Sequence, residues 1–96
     1  MPSYLVTYDL HKVRNYDGLY RLMASWSAVR LTESLWLAKL NGPADVIRNI
    51  VMAQVDGDDT VAVIELKLSA DWATIRVSAA ANAWLSDNVT PAQKAA

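Results

Sequence analysis

The amino-acid sequence predicts a small α+β domain, and three observations carry that prediction. Two short runs rich in β-branched and aromatic residues, at positions 4–9 and 60–66, have the length and composition of buried strands. Two other segments place apolar residues at helical spacing. The length of 96 residues corresponds to one domain. We therefore expect a single α+β domain in which strands and helices alternate.

The first half of the chain is predicted to form a strand, a helix and a hairpin. Residues 4–9 are the predicted central strand. In residues 28–40 the alternation of apolar and polar side chains changes parity near Thr32 and Glu33, which predicts two short strands joined by a turn or bulge. The helix between them is predicted from the spacing of Tyr16, Leu19, Leu22, Met23 and Trp26.

The second half adds a helix, a strand and a helical tail. After the breaker at residues 41–43, a second helix begins at Pro43 or Ala44, and the strand at 60–66 follows. The order strand-helix-strand-strand-helix-strand is typical of a ferredoxin-like βαββαβ sandwich, an antiparallel sheet with two helices on one face. A third helix is expected over residues 69–88, capped at Ser69. We thus predict one domain over residues 1–88 and a disordered tail over 89–96.

Composition excludes several classes of function. The formal net charge is −1 and cysteine is absent, so there is no global basic field for nucleic acid and no disulfide, thiolate metal site or cysteine nucleophile. No apolar run is long enough to cross a bilayer, and no signal peptide is recognisable. We expect a soluble, cytoplasmic protein with no membrane partner, and its small core favours a homodimer.

Asp9 is the first candidate for chemistry, because it ends a predicted central strand before a polar loop. A carboxylate at this place reaches solvent from the edge of the core and can ligate a hard divalent metal. The structural alternative is that its oxygens accept hydrogen bonds from loop amides, as aspartates at strand ends often do. His11 in the same loop could shuttle a proton, although a lone loop histidine is more often only solvated.

The other polar clusters are weaker candidates. The acidic cluster of Asp56, Asp58 and Asp59 invites a calcium site, but it lacks the spaced oxygens and terminal glutamate of an EF-hand loop, so we expect a solvated turn. Arg30, Lys39 and Arg48 would bind phosphate only if they shared a face. The sequence contains no P-loop, GxGxxG, GxSxG or HExxH motif.

Three stretches of the chain resemble a known family: YLVTYDL, VRLTESLWLAKL and, after the acidic turn, TVAVIEL. They are similar to the CRISPR-associated protein two superfamily, and more closely to its SinR-like relatives, with virulence-associated protein D as a related group. The resemblance covers roughly residues 3–66. It implies a ferredoxin-like homodimer in which an aspartate at the end of the first strand of each subunit faces its copy across a cleft. Asp9 matches that aspartate, and Ser34 matches the serine of the family's serine-valine-phenylalanine stretch.

The resemblance also implies an activity. Nuclease activity in parts of the family depends on a divalent metal, usually Mg²⁺ or Mn²⁺, which a carboxylate pair can hold against a phosphodiester. The leading hypothesis is a homodimeric metal-dependent endonuclease acting on RNA or DNA through paired Asp9 carboxylates, with Tyr8, His11 and Ser34 as further catalytic candidates. The alternative is a noncatalytic dimeric module that binds another protein, and the low basic content favours it.

Overall fold

Strands and helices follow one another in the predicted order. The computed structural model describes residues 1–10 and 16–89. The elements are β1 (Ser3–Asp9), α1 (Asp17–Ser25), β2 (Val29–Thr32), β3 (Leu35–Lys39), α2 (Ala44–Met52), β4 (Thr60–Leu66) and α3 (Ala79–Asn88). The βαββαβ order and the additional C-terminal helix are therefore confirmed.

The strands form one antiparallel sheet with the order β2-β3-β1-β4. β1 is central, as predicted, and β2 and β4 are the edges. A two-residue turn, Glu33 and Ser34, joins β2 to β3, and the pairing register shifts between Arg30 and Thr32. This shift leaves Leu31 as an extra residue and confirms the predicted turn and irregularity. The topology is that of a ferredoxin-like α+β fold.

Helices α1 and α2 cover one face of the sheet. Alternate β1 residues, Tyr4, Val6 and Tyr8, are buried there together with residues of α1 and α2. The helical residues at the centre of this core are Leu19, Met23, Ile47 and Val51. Each fully buried aliphatic side chain of this kind contributes roughly 1.5–3 kcal/mol, so this core is the main source of stability.

A second, smaller core lies on the opposite face, which we call the outer face. Here Leu85 of α3 and Val89 pack against Leu37 of β3. Because side chains alternate along β3, Leu37 faces α3 while Trp36 packs against the main core. The half of the outer face formed by β1 and β4 is more open, and Ile64 there is 55% exposed.

No helix in the described residues is long and apolar enough to span a membrane.

The predicted third helix is wrong in its first half. Ser69 does not cap a helix, since it and Arg76 have φ angles of 69° and 59°, which an α-helix cannot contain. The chain becomes helical only after Ser78, whose Oγ accepts a hydrogen bond from the Ala81 amide at 3.0 Å. β-branched side chains precede this cap and alanines follow it, so local propensity places the boundary here. The packed chain extends at least to Val89, which is buried.

Candidate functional site

A cleft of about 420 Å³ opens at the end of the sheet where β1 stops. Its walls come from the end of β1, from α1 and from the β2-β3 hairpin. The lining residues are Tyr8, Asp9, Leu10, Tyr20, Arg30, Glu33 and Ser34. A volume of this size is ordinary for a small-molecule site. The lining residues include two acidic residues, one arginine and two tyrosines.

Asp9 is the last residue of β1 and is exposed. Alternation along the strand places it on the outer face with Leu5 and Thr7, whereas Tyr8 points into the main core. Within residues 1–10 and 16–89, no hydrogen bond or ion pair engages the Asp9 carboxylate. Its oxygens are therefore accessible from solvent at the end of β1.

Arg30 supplies the positive charge of the cleft. Its guanidinium lies 4.7 Å from the centroid of the Trp36 ring and 5.4 Å from that of Tyr20. Across the described part of the chain, no carboxylate lies within 4.0 Å of it. Contacts of this type hold the guanidinium plane in place and contribute roughly 0.5–1 kcal/mol each at exposed sites. Arg30 is thus a fixed cation without a counter-ion in the described residues.

Tyr8 links this cation to the core. Its side chain is buried, and its hydroxyl accepts a hydrogen bond from Trp36 Nε1 at 2.9 Å. Partial burial lowers the pKa of Arg30, but hydrogen bonding and charge interactions with the hydroxyls of Tyr8 and Tyr20 outweigh it and raise that pKa. Arg30 therefore stays charged at any physiological pH.

Ser34 fixes the hairpin turn against the end of β1. Its carbonyl oxygen accepts hydrogen bonds from the Tyr8 amide at 3.1 Å and from Thr7 Oγ1 at 3.1 Å. These bonds hold the turn in place, so that Glu33 and Ser34 line the cleft beside Asp9. The serine suggested by the family resemblance is thus a neighbour of the aspartate in space.

The structure brings together Asp9, Tyr8 and Ser34 of the candidates taken from the sequence. His11 lies outside the described residues. Sequence reasoning missed Tyr20 and Glu33 as parts of this site. The sequence held no signal for them, and even the Arg30–Trp36 pair depends on the register shift at Leu31, since regular pairing about the turn would place Leu31 opposite Trp36.

The three cations considered from the sequence do not form one surface. Arg30 lies in the cleft, whereas Lys39 pairs with Ser3 at the other end of β1. Arg48 lies on α2, where its guanidinium contacts Asn49 Oδ1 at 3.0 Å. The condition for a shared phosphate-binding face is therefore not met, and Arg30 acts separately from the other two.

The acidic turn between α2 and β4 is a second cluster of carboxylates. Oxygens of Asp56, Asp58 and Asp59 all lie within 4.8 Å of one another, a grouping that could hold a metal ion. Asp59 Oδ2 also accepts hydrogen bonds from the Tyr16 hydroxyl at 3.1 Å and from the Asp56 amide at 2.8 Å. These bonds connect the turn to the start of α1, so Asp59 has a structural role.

The fold and the cleft define a small ferredoxin-like α+β protein with a polar, aromatic-lined site. No family model matches the sequence, and no curated protein matches it significantly. A crystal structure of a hypothetical protein from Thermus thermophilus is similar, with a TM-score of 0.60 and 18% sequence identity. The similarity covers 77% of this chain and 92% of that one. At this identity it supports the fold alone.

Proposed function

We propose that the protein is a metal-dependent endonuclease that cleaves RNA or DNA in the cleft at the end of β1. The observation that carries this proposal is that Asp9, Glu33 and Arg30 are all among the residues that line one cleft at the end of the sheet. Carboxylates hold divalent cations, and a guanidinium binds phosphate oxygens. The cleft therefore offers both groups that a phosphodiester and its metal require.

The donor set fits Mg²⁺ or Mn²⁺. These hard cations prefer oxygen ligands, and Mg²⁺ usually uses one or two protein carboxylates together with substrate phosphate. Asp9, which is exposed, is the principal ligand in this proposal, and Glu33 is available in the same cleft. When bound, such an ion polarises the phosphodiester and activates water.

A homodimer would supply a second Asp9, as the family resemblance implies. Asp9 lies on the outer face, on the same side of the sheet as the exposed Ile64. A second copy packed about a two-fold axis on the open half of this face would bring the two aspartates toward each other. The unpaired edge of β4 borders this half and could take part in the contact.

The residues of this chain have distinct roles in the proposed reaction. Arg30 binds the non-bridging phosphate oxygens and stabilises the charge that develops on them. Tyr8 positions Arg30 through Trp36, because its hydroxyl holds the Trp36 indole and the Trp36 ring packs against the Arg30 guanidinium. Ser34 and Glu33 orient the nucleophilic water at the rim. We expect the protein to act in the cytoplasm, where a chain without cysteine needs no disulfides.

Metal titration with two substrates tests the proposal. We expect the purified protein to cleave labelled RNA or duplex DNA in Mg²⁺ or Mn²⁺ but not in EDTA, and Asp9→Ala to abolish that cleavage. Cleavage that survives the substitution would overturn the role of Asp9. Light scattering at micromolar concentration tests the dimer: a monomeric mass excludes paired Asp9 residues and leaves Glu33 as the second carboxylate.

A noncatalytic protein-binding module is the second candidate. The unpaired β4 edge and the exposed side chains of Ile64, Leu68 and Ile75 favour it, with exposed fractions of 55%, 73% and 71%. A partner strand could add to this edge. If every metal fails to support cleavage while Ile64→Lys abolishes self-association or capture of a defined partner, this second function is the better account.

A further inference from the structure

Tyr20 and Arg30 form a pair on the wall of the cleft. The proposed reaction gives a role to Arg30 but none to Tyr20. The side chain of Tyr20 is 42% exposed although it is aromatic. It projects from α1, whereas Arg30 comes from β2, so two separate elements bring these groups together. An exposed ring beside a fixed guanidinium is the arrangement that binds a base next to its phosphate.

We infer that the cleft holds one unpaired nucleotide of the substrate, with its phosphate on Arg30 and its base stacked on Tyr20. The inference rests on the proposed function, and it names the substrate class as single-stranded nucleic acid. Asp9 and Glu33 are among the residues that line the same cleft.

Arg30 is prepared for phosphate in three respects. Its plane is fixed by the rings of Trp36 and Tyr20, at 4.7 Å and 5.4 Å. Within residues 1–10 and 16–89 no carboxylate competes for it within 4.0 Å. Its planar donors match two phosphate oxygens at once, and a held side chain loses little rotamer freedom on binding.

Tyr20 supplies the contact that selects single strands. A base of any identity can stack on a tyrosine ring, but a base inside a duplex is already stacked on both sides and must be unpaired first. The cleft volume of about 420 Å³ has room for one nucleotide. Single strands should therefore bind better than duplexes of the same sequence.

Binding without turnover tests the inference separately from the activity. The probe is a fluorescent single-stranded RNA of about eight nucleotides, followed by anisotropy in EDTA. We expect Tyr20→Ala to weaken binding roughly 5- to 150-fold and Tyr20→Phe, which keeps the ring, to weaken it less than about 3-fold. Arg30→Gln should weaken binding and lower the slope of log affinity against log salt by about 0.7. The matched control, Arg48→Gln, removes a cation outside the cleft and should change affinity less than about 2-fold.

Each outcome decides one of the two proposals. Wild-type affinity in Tyr20→Ala, equal affinity for duplex and single strand, or no binding at tens of micromolar protein would overturn the nucleotide site. Circular dichroism of Tyr20→Ala checks that weak binding does not come from unfolding. Retained affinity in Tyr20→Phe shows that the ring, and not the hydroxyl, makes the contact. If binding depends on Tyr20 and Arg30 but no metal supports cleavage, the nucleotide site stands and the nuclease proposal fails.

Discussion

Asp9 and the acidic turn of Asp56, Asp58 and Asp59 lie at the same end of the sheet, yet their carboxylates differ in their hydrogen-bond partners. Asp9 ends β1 and pairs in register with Thr60, and Asp59 immediately precedes Thr60 on the neighbouring strand. Asp59 accepts hydrogen bonds from Tyr16 and from the Asp56 amide, whereas Asp9 has no such partner in the described residues. Both residues are aspartates, so residue type does not explain the difference. The position of each at the end of the sheet decides whether its carboxylate is bound by protein groups or is accessible to a ligand.

The largest expected effect is on the rate of cleavage, where Asp9 and the acidic turn should differ most. Asp9→Asn should lower metal-dependent cleavage of RNA or DNA by about 100-fold or more, because it removes the charged metal ligand. Asp58→Asn removes an exposed carboxylate from the acidic turn and should leave the rate within about 2-fold. Rates measured at saturating Mn²⁺ decide the matter. A loss in Asp58→Asn with none in Asp9→Asn would mean that the acidic turn holds the metal.

The reverse order is expected for stability. Asp59→Ala removes the acceptor of two hydrogen bonds and should lower the free energy of unfolding by about 2 kcal/mol. Asp9→Ala should change it by less than about 0.5 kcal/mol, because Asp9 is exposed. Urea denaturation of both variants gives the two values. If Asp9→Ala is as destabilising as Asp59→Ala, then Asp9 has a structural role.

A smaller effect tests how Tyr8 holds the cleft. Tyr8→Phe keeps the buried ring but removes the acceptor of the Trp36 Nε1 hydrogen bond. We expect a loss of about 1 kcal/mol in unfolding free energy, because the Trp36 indole N–H loses its acceptor. We also expect weaker oligonucleotide binding, because the Trp36 ring that packs against Arg30 is held less firmly. Denaturation and anisotropy measure the two effects. Binding that is unchanged in Tyr8→Phe would show that Arg30 does not depend on Tyr8.

The smallest structural effect is expected at Ser34. Its carbonyl makes the bonds that fix the hairpin, and that carbonyl remains in Ser34→Ala. The unfolding free energy should therefore change by less than about 0.5 kcal/mol. A fall in kcat with unchanged stability would assign the Ser34 hydroxyl to the reaction. A loss of stability would contradict the claim that only the carbonyl fixes the hairpin.

Most of the fold could be predicted from the sequence because its signals are local. Short runs of β-branched and aromatic residues predicted β1 and β4, helical spacing predicted α1 and α2, and the parity change near Thr32 and Glu33 predicted the hairpin. The start of α3 could not be predicted from apolar spacing alone. Ser69 and Ser78 are both residue types that cap helices, but Ser69 and Arg76 have left-handed φ angles, and Ala70 and Trp72 of this segment pack against the second core.

The candidate site was predictable only in part for the same reason. Asp9 and Ser34 could be named because each belongs to a recognisable stretch. Tyr20 and Glu33 could not, since their positions depend on how α1 packs and on where the hairpin turn meets β1. Long-range geometry of this kind leaves no periodic signal in the chain.

Locating Mn²⁺ on the protein shows whether the metal binds at Asp9 or at the acidic turn. Titration of ¹⁵N-labelled protein with Mn²⁺ broadens amide signals near the bound ion, and both groups of aspartates can be followed in one spectrum. The account predicts that the amides of Asp9, Glu33 and Ser34 broaden first and that Asp9→Asn removes this effect. Broadening centred on Asp58, unchanged by Asp9→Asn, would contradict it.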